Sequence, residues 1–95
     1  MVVTIIRHHV TDFPVWKQVY DSVADVQREG GVRFQSILTS VDDPNAVVVT
    51  HSFDDAAAAR AFFDREDLKA AMVSGGVDLD TLSLEFFDEV ESVRL

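Results

Sequence analysis

The chain has 95 residues, 47% of them hydrophobic and 26% charged, with 17 acidic against 8 basic side chains and a net charge of -9. That length fits a single domain over residues 1–95, and that composition excludes a disordered tail. The acidic field repels phosphate backbones, so neither nucleic acid nor an anionic membrane surface is an expected partner. The absence of cysteine excludes disulfides, thiolate catalysis, iron–sulfur clusters and cysteine-type zinc sites.

Val2 to Val10 is rich in β-branched residues and lacks a helical period, which predicts a first strand rather than a signal peptide. No apolar run approaches the roughly 18 residues that a membrane-spanning helix needs. A cytoplasmic protein is therefore expected. Asp12 then offers an N-cap, with Pro14 in the first turn of a helix. Trp16, Val19, Tyr20, Val23 and Val26 form one apolar stripe along it, and Gly30-Gly31 ends it.

Val32 to Ser40 alternates as a second strand, and Val32, Phe34, Ser36 and Leu38 are expected to face the core. Asp42-Asp43-Pro44-Asn45 makes a turn, and Ala46 to Phe53 forms the third strand. Asp54-Asp55 caps a second helix that begins with four alanines. Its apolar residues Ala59, Phe62 and Phe63 point away from the later set Leu68, Ala71 and Met72. A break is therefore expected between Asp64 and Asp67. Gly75-Gly76 stops this segment, and Leu82 to Val90 alternates as the fourth strand.

The order is β-α-β-β-α-β, an α+β ferredoxin-like arrangement with helices on one face of a four-stranded antiparallel sheet. Arg33, Gln35, Ile37, Thr39, Ser83, Glu85, Phe87 and Glu89 are expected on the uncovered face. Ile37, Phe87 and several valines are costly to leave in water together, so a homodimer closed through the sheet face is expected.

Several stretches resemble the antibiotic-biosynthesis-monooxygenase-like proteins of the dimeric α/β-barrel group. They are Arg7-His8-His9-Val10-Thr11-Asp12-Phe13 with Trp16-Lys17, Asp42-Asp43-Pro44-Asn45 with Val47-Val48-Val49, and Phe53-Asp54-Asp55 with Ala58 and Phe62. Leu68-Lys69-Ala70-Ala71-Met72 and Gly76-Val77 extend the likeness over nearly the whole chain. The resemblance implies a barrel of two ferredoxin-like protomers, each with a pocket for a small apolar or aromatic molecule. It also implies relatives that oxidise polyketide phenols with dioxygen and no cofactor, alongside haem-degrading enzymes and lactone isomerases. The haem-degrading relatives carry their iron ligand on a helix. Here His8, His9 and His51 all fall on predicted strands, so neither haem nor any other cofactor is expected.

The candidate catalytic groups are His8 and His51, either of which could accept a proton as a neutral imidazole. His8 is preferred over His9 because it sits in the Arg7-His8-x-Val10 pattern of the resemblance. His51 shares its parity with Val47, Val49 and Phe53, which also suits a satisfied core residue. His8 and His51 are expected to lie near one another, yet two histidines without a third ligand do not make a metal site. Trp16, Tyr20 and Phe62 are candidate walls of a substrate pocket, or core residues. Arg33 and Glu85 are candidate polar anchors, or partners in surface ion pairs. No Ser-His-Asp ordering, phosphate-cradling loop or dinucleotide fingerprint is present. The resemblance implies a cofactor-independent monooxygenase acting on an aromatic or polyketide-like substrate; a non-catalytic ligand-binding barrel and a structural dimer with a filled interior are the alternatives.

Overall fold

A computed structural model describes all residues from Met1 to Leu95. Its elements are β1 (Val2–Val10), α1 (Phe13–Ser22), α2 (Ala24–Glu29), β2 (Phe34–Thr39), β3 (Ala46–Phe53), α3 (Ala56–Phe63), α4 (Glu66–Ser74) and β4 (Val77–Asp88). The strands form one antiparallel sheet in the order β2-β3-β1-β4. This is the ferredoxin-like βαββαβ order, with each helical crossover split in two. No helix is long and apolar enough to cross a membrane.

Local chemistry sets the element ends. Asp12 accepts a hydrogen bond from the Val15 amide at 3.2 Å, and Asp55 accepts one from Ala58 at 2.8 Å, so both helical crossovers begin on a side-chain cap. The break expected between Asp64 and Asp67 falls at Asp64 and Arg65, where Arg65 turns extended. The Arg65 guanidinium then bonds Asp67 at 2.8 Å and Glu29 at 3.2 Å, tying this corner to α2.

A second break, in the first crossover, was not foreseen from the apolar stripe. The Ser22 hydroxyl donates to the Val19 carbonyl at 2.6 Å. The Val23 amide, which would serve that carbonyl in a continuous helix, bonds Tyr20 instead. The stripe survives the break, because α2 carries Val26 and Gln27 onward over the same face.

The helices cover the face carrying Val2, Thr4, Ile6, His8 and Val10 of β1 and Val47, Val49, His51 and Phe53 of β3, all buried. Trp16 packs with Ile6, Val10, Val47 and Val49, while Phe62, Ala59 and Leu68 pack with Val2 and Phe53. Burying such side chains is the main stabilising term of the fold.

The phase of β2 is opposite to the one expected. Gln35 pairs with His51, Ile37 with Val49 and Thr39 with Val47, so these three face the helices. Phe34, Ser36 and Leu38 lie on the uncovered face, with Phe34 68% and Leu38 53% exposed. Both faces of this strand carry apolar residues, so alternation alone could not choose between them. Arg33 precedes the strand and is not part of either face.

The fourth strand begins at Val77, not Leu82, and ends before Glu89. Asp78 and Asp80 look like turn residues, but they belong to a bulge. The His9 amide donates to the Thr81 hydroxyl at 2.8 Å, and that hydroxyl donates to the Asp78 carbonyl at 2.7 Å.

Candidate functional site

Two aromatic residues one turn apart on α1 lie across the sheet. Trp16 and Tyr20 stack with ring centroids 4.9 Å apart. His8 meets Trp16 at 5.6 Å on one side, and His51 meets Tyr20 at 6.3 Å on the other. The four rings form a row from the end of β1 to the end of β3. The edges of Phe62 and Phe63 close on His51 at 5.5 and 5.9 Å.

A cavity of about 40 Å³ opens beside this row. The sheet contributes Ile6, His8, Val49 and His51 to its wall, the first crossover Trp16, Val19, Tyr20, Val23 and Gln27, and the second Phe63, Leu68, Ala71 and Met72. None of these thirteen residues is an acid, a lysine or an arginine. The space holds a few water molecules. An apolar groove of about 330 Å³ adjoins it between α4 and β4, with Ile6, Phe63 and Met72 common to both walls.

The polar groups in the cavity are few and specific. Tyr20 Oη donates to Gln35 Oε1 at 2.5 Å and lies 3.1 Å from His51 Nε2. Nδ1 of His51 and Nδ1 of His8 are buried and have no hydrogen-bond partner. Burial pushes the His51 imidazole down to about 4 and also lowers that of His8, so both rings are uncharged at neutral pH. Burial, reinforced by the Asp21 charge, raises the Tyr20 hydroxyl above its ordinary value. Every group facing the cavity is thus neutral, in a setting where an unpaired charge is expensive.

The proposed site residues divide into two sets. His8, His51, Trp16 and Tyr20 converge on the cavity. Phe62 supports His51 from the core without lining the space. Arg33 pairs with Asp54 at 2.8 Å at the surface, and Glu85 faces Arg7 at 3.7 Å on the uncovered side of the sheet. His9 points to that uncovered side too, 3.0 Å from Asp43. Gln27, Gln35 and Met72 were not anticipated, while Phe63, which shares with Phe62 the reading of pocket wall or core, lines the cavity. Gln27 alone had a signal, lying two turns beyond Tyr20 on the same helical face.

The two histidines are not close neighbours. His51 pairs with Thr4 and His8 with Val47, a four-residue offset along the strands of about 13 Å. They cannot share one ion, and no group of three metal-ligating side chains exists. Haem does not fit these residues. The helices carry no histidine to hold its iron, and the two buried strand histidines stand four residues apart in register.

No protein-family model and no curated protein matches the sequence. Solved structures do match the fold. SnoaB, a cofactor-independent oxygenase from Streptomyces nogalater, superposes with a TM-score of 0.79 at 16% identity, over 97% of this chain and 95% of that one. A candidate antibiotic biosynthesis monooxygenase from Deinococcus radiodurans gives 0.77 at 14% identity, over 100% and 98%. MhuD, in a mutant structure with two manganese protoporphyrin IX bound per active site, gives 0.74 at 19% identity, over 99% of each chain. The chain therefore has the protomer fold of the antibiotic-biosynthesis-monooxygenase-like α/β-barrel proteins.

Proposed function

We propose that the cavity binds a small, largely apolar aromatic molecule and that the protein is a cofactor-independent oxygenase acting on it. The observation that carries this proposal is a pair of buried, uncharged imidazoles whose Nδ1 atoms lack partners beside a cavity lined by no charged side chain. Burial alone disfavours their charged form, so such imidazoles accept a proton where the anion formed stays beside them as the counter-charge. Trp16 and Tyr20 would stack on the ligand, and His51 or His8 would take its proton. The likeness in fold to SnoaB, a cofactor-independent oxygenase, supports the same choice without establishing it.

In the proposed reaction the substrate supplies the electrons. The ring methylene of an anthrone-type ketone, or the hydroxyl of its enol tautomer, loses one proton to the imidazole, and the resulting common anion adds dioxygen at carbon to give a hydroperoxide. Loss of water leaves a carbonyl. The carbon exchanges two C–H bonds for one C=O, one oxygen atom enters the product and the other leaves as water. A ligand of this size needs more room than the closed cavity has. Met72, flexible and shared with the outer groove, is the side chain whose rotation would join the two spaces.

The proposed setting is a cytoplasmic homodimer. Phe34, Leu38 and Phe87 stand exposed on the uncovered face of the sheet, beside the half-buried Val3, Ile5 and Val48. A second copy would remove that apolar surface from water.

Dioxygen uptake with anthrone, a tricyclic phenol precursor with such a methylene, tests the proposal. Uptake that falls by about a hundredfold in the His51→Ala or the His8→Ala variant is expected from loss of a general base. Equal uptake in both variants and the parent would reject the base assignment. Saturable binding of anthrone without uptake would favour a non-catalytic binding barrel, and no binding at all would favour a structural dimer with a filled interior, for which the small cavity of about 40 Å³ speaks.

A further inference from the structure

We infer that His51 keeps a bare lone pair on the buried Nδ1 beside the cavity, that Tyr20 and Gln35 are the positioning residues fixing this tautomer, and that the ligand group it takes, once a side-chain shift uncovers that atom, is a neutral hydroxyl. The inference deepens the function proposed above and rests on the cavity being the binding site.

Proton counting fixes the tautomer. Tyr20 has one phenolic proton. Gln35 Oε1, at 2.5 Å, is an amide oxygen and can only accept. The proton therefore points to Gln35, and Tyr20 turns an oxygen lone pair toward His51. Nε2, at 3.1 Å, must carry a hydrogen to make that contact favourable. An uncharged imidazole has one N–H, so Nδ1 is left unprotonated. That atom is buried and has no partner. His8 shares the orphaned Nδ1, but no side chain hydrogen-bonds its ring, so no positioning residue of this kind backs it.

Chemistry then selects the ligand group. A buried acceptor without a donor is costly, and a ligand O–H supplies the missing donor. An anionic ligand would find no cation in the cavity wall. A neutral hydroxyl can enter and then pass its proton to Nδ1: the O–H bond breaks, an N–H bond forms, and no electron is lost or gained. The resulting imidazolium donates through Nε2 to Tyr20, whose own proton rests on Gln35. Its Nδ1–H stays paired with the new oxyanion. Tyr20 and Gln35 thus hold the positive charge from behind, as the third member of a catalytic triad does, but with uncharged groups.

Ring-nitrogen chemical shifts of isotope-labelled protein test this directly. The Nε2–H tautomer of His51 is expected in at least about tenfold excess, the bias one hydrogen bond confers. Naphthol should displace the Nδ1 signal. Its methyl ether, which has no hydroxyl proton, should leave that signal in place and bind about tenfold more weakly. Tyr20→Phe should bring the two tautomers toward equal populations, and Gln35→Leu offers the same readout if that variant fails to fold. An Nδ1–H tautomer in the unaltered protein, as a Gln35 turned to donate its amide would produce, overturns the inference. Equal binding of naphthol and its ether, or binding of neither, overturns the ligand assignment. The tautomer as stated without anthrone oxidation would reject the oxygenase alone, and an Nδ1–H tautomer with oxidation preserved would reject this inference alone.

Discussion

Phe62 lies against Gly30 so closely that a β-carbon on the glycine would overlap Cδ1 of the ring. Here the end of α2 meets α3, and the absent side chain is what lets them touch. Phe62 is fully buried and supports His51 from below, so the contact also sets the floor of the candidate site.

The first prediction follows from that contact. Gly30→Ala should destabilise the fold by about 1–3 kcal/mol through overpacking, although alanine is the better helix former. Phe62→Leu in the same chain should recover part of the loss, because the shorter side chain makes room. Thermal unfolding of the two single variants and the double variant measures the coupling. Additive losses would show that the two residues do not share this space.

The second prediction concerns acid. The folded His51 titrates at about 4, below the 6.5 of an unperturbed imidazole, so between these values the unfolded chain binds the proton first. Stability is full above about pH 6.5 and falls as pH drops toward 4, by about 3 kcal/mol at 1.36 kcal/mol per unit. Chemical denaturation across this window should show the decline, and His51→Gln should remove most of it, leaving the part contributed by His8, which burial also lowers. Asp54, held low by Arg33, and Asp67, held low by Arg65, act in a more acidic window and leave this limb alone.

Trp16 is the chain's only tryptophan, and it lines the cavity. Its fluorescence should therefore be quenched saturably by naphthol. Met72→Phe narrows the passage between the cavity and the outer groove, and should slow the approach to saturation by about tenfold if Met72 controls entry. Unchanged kinetics would place the route elsewhere, such as the break at Val23.

Association through the sheet makes a separate prediction. Phe34→Asp and Leu38→Asp alter side chains that are exposed in the single chain, so neither should unfold it. Each should raise the dimer dissociation constant by at least about thirtyfold, the scale of a 2 kcal/mol hot spot. Sedimentation measures this, and a parent protein that sediments as a monomer would exclude the dimer.

Much of the fold was legible because certain segments carry one unambiguous pattern. β1 and β3 alternate with β-branched residues throughout, and the break after Phe63 shows as two apolar patches pointing apart. The break after Ser22 leaves the apolar stripe unbroken, since its cause is one hydroxyl on the Val19 carbonyl. The face of β2 was hidden by Phe34 and Leu38, whose hydrophobicity serves the uncovered side. The site was legible in the same uneven way. Trp16, Tyr20 and His51 stand out by residue type and position, whereas only the resemblance separates His8 from His9, because both apolar sets of β1 look buried. Gln35 does not, because a glutamine signals nothing until the pairing register sets it opposite His51.

The pairing of Val2 with Asp88 has a consequence for how the molecule assembles. β1 occupies the interior of the sheet, and one of its two neighbours is the last of the four strands in chain order. That topology gives high contact order, with a loop of nearly the entire polypeptide to close before the final ladder forms. A chain emerging from the ribosome holds one edge of β1 unsatisfied until β4 is free to dock. Completion of the sheet therefore waits on the docking of β4, and slow docking of that strand would prolong the exposure of an aggregation-prone edge.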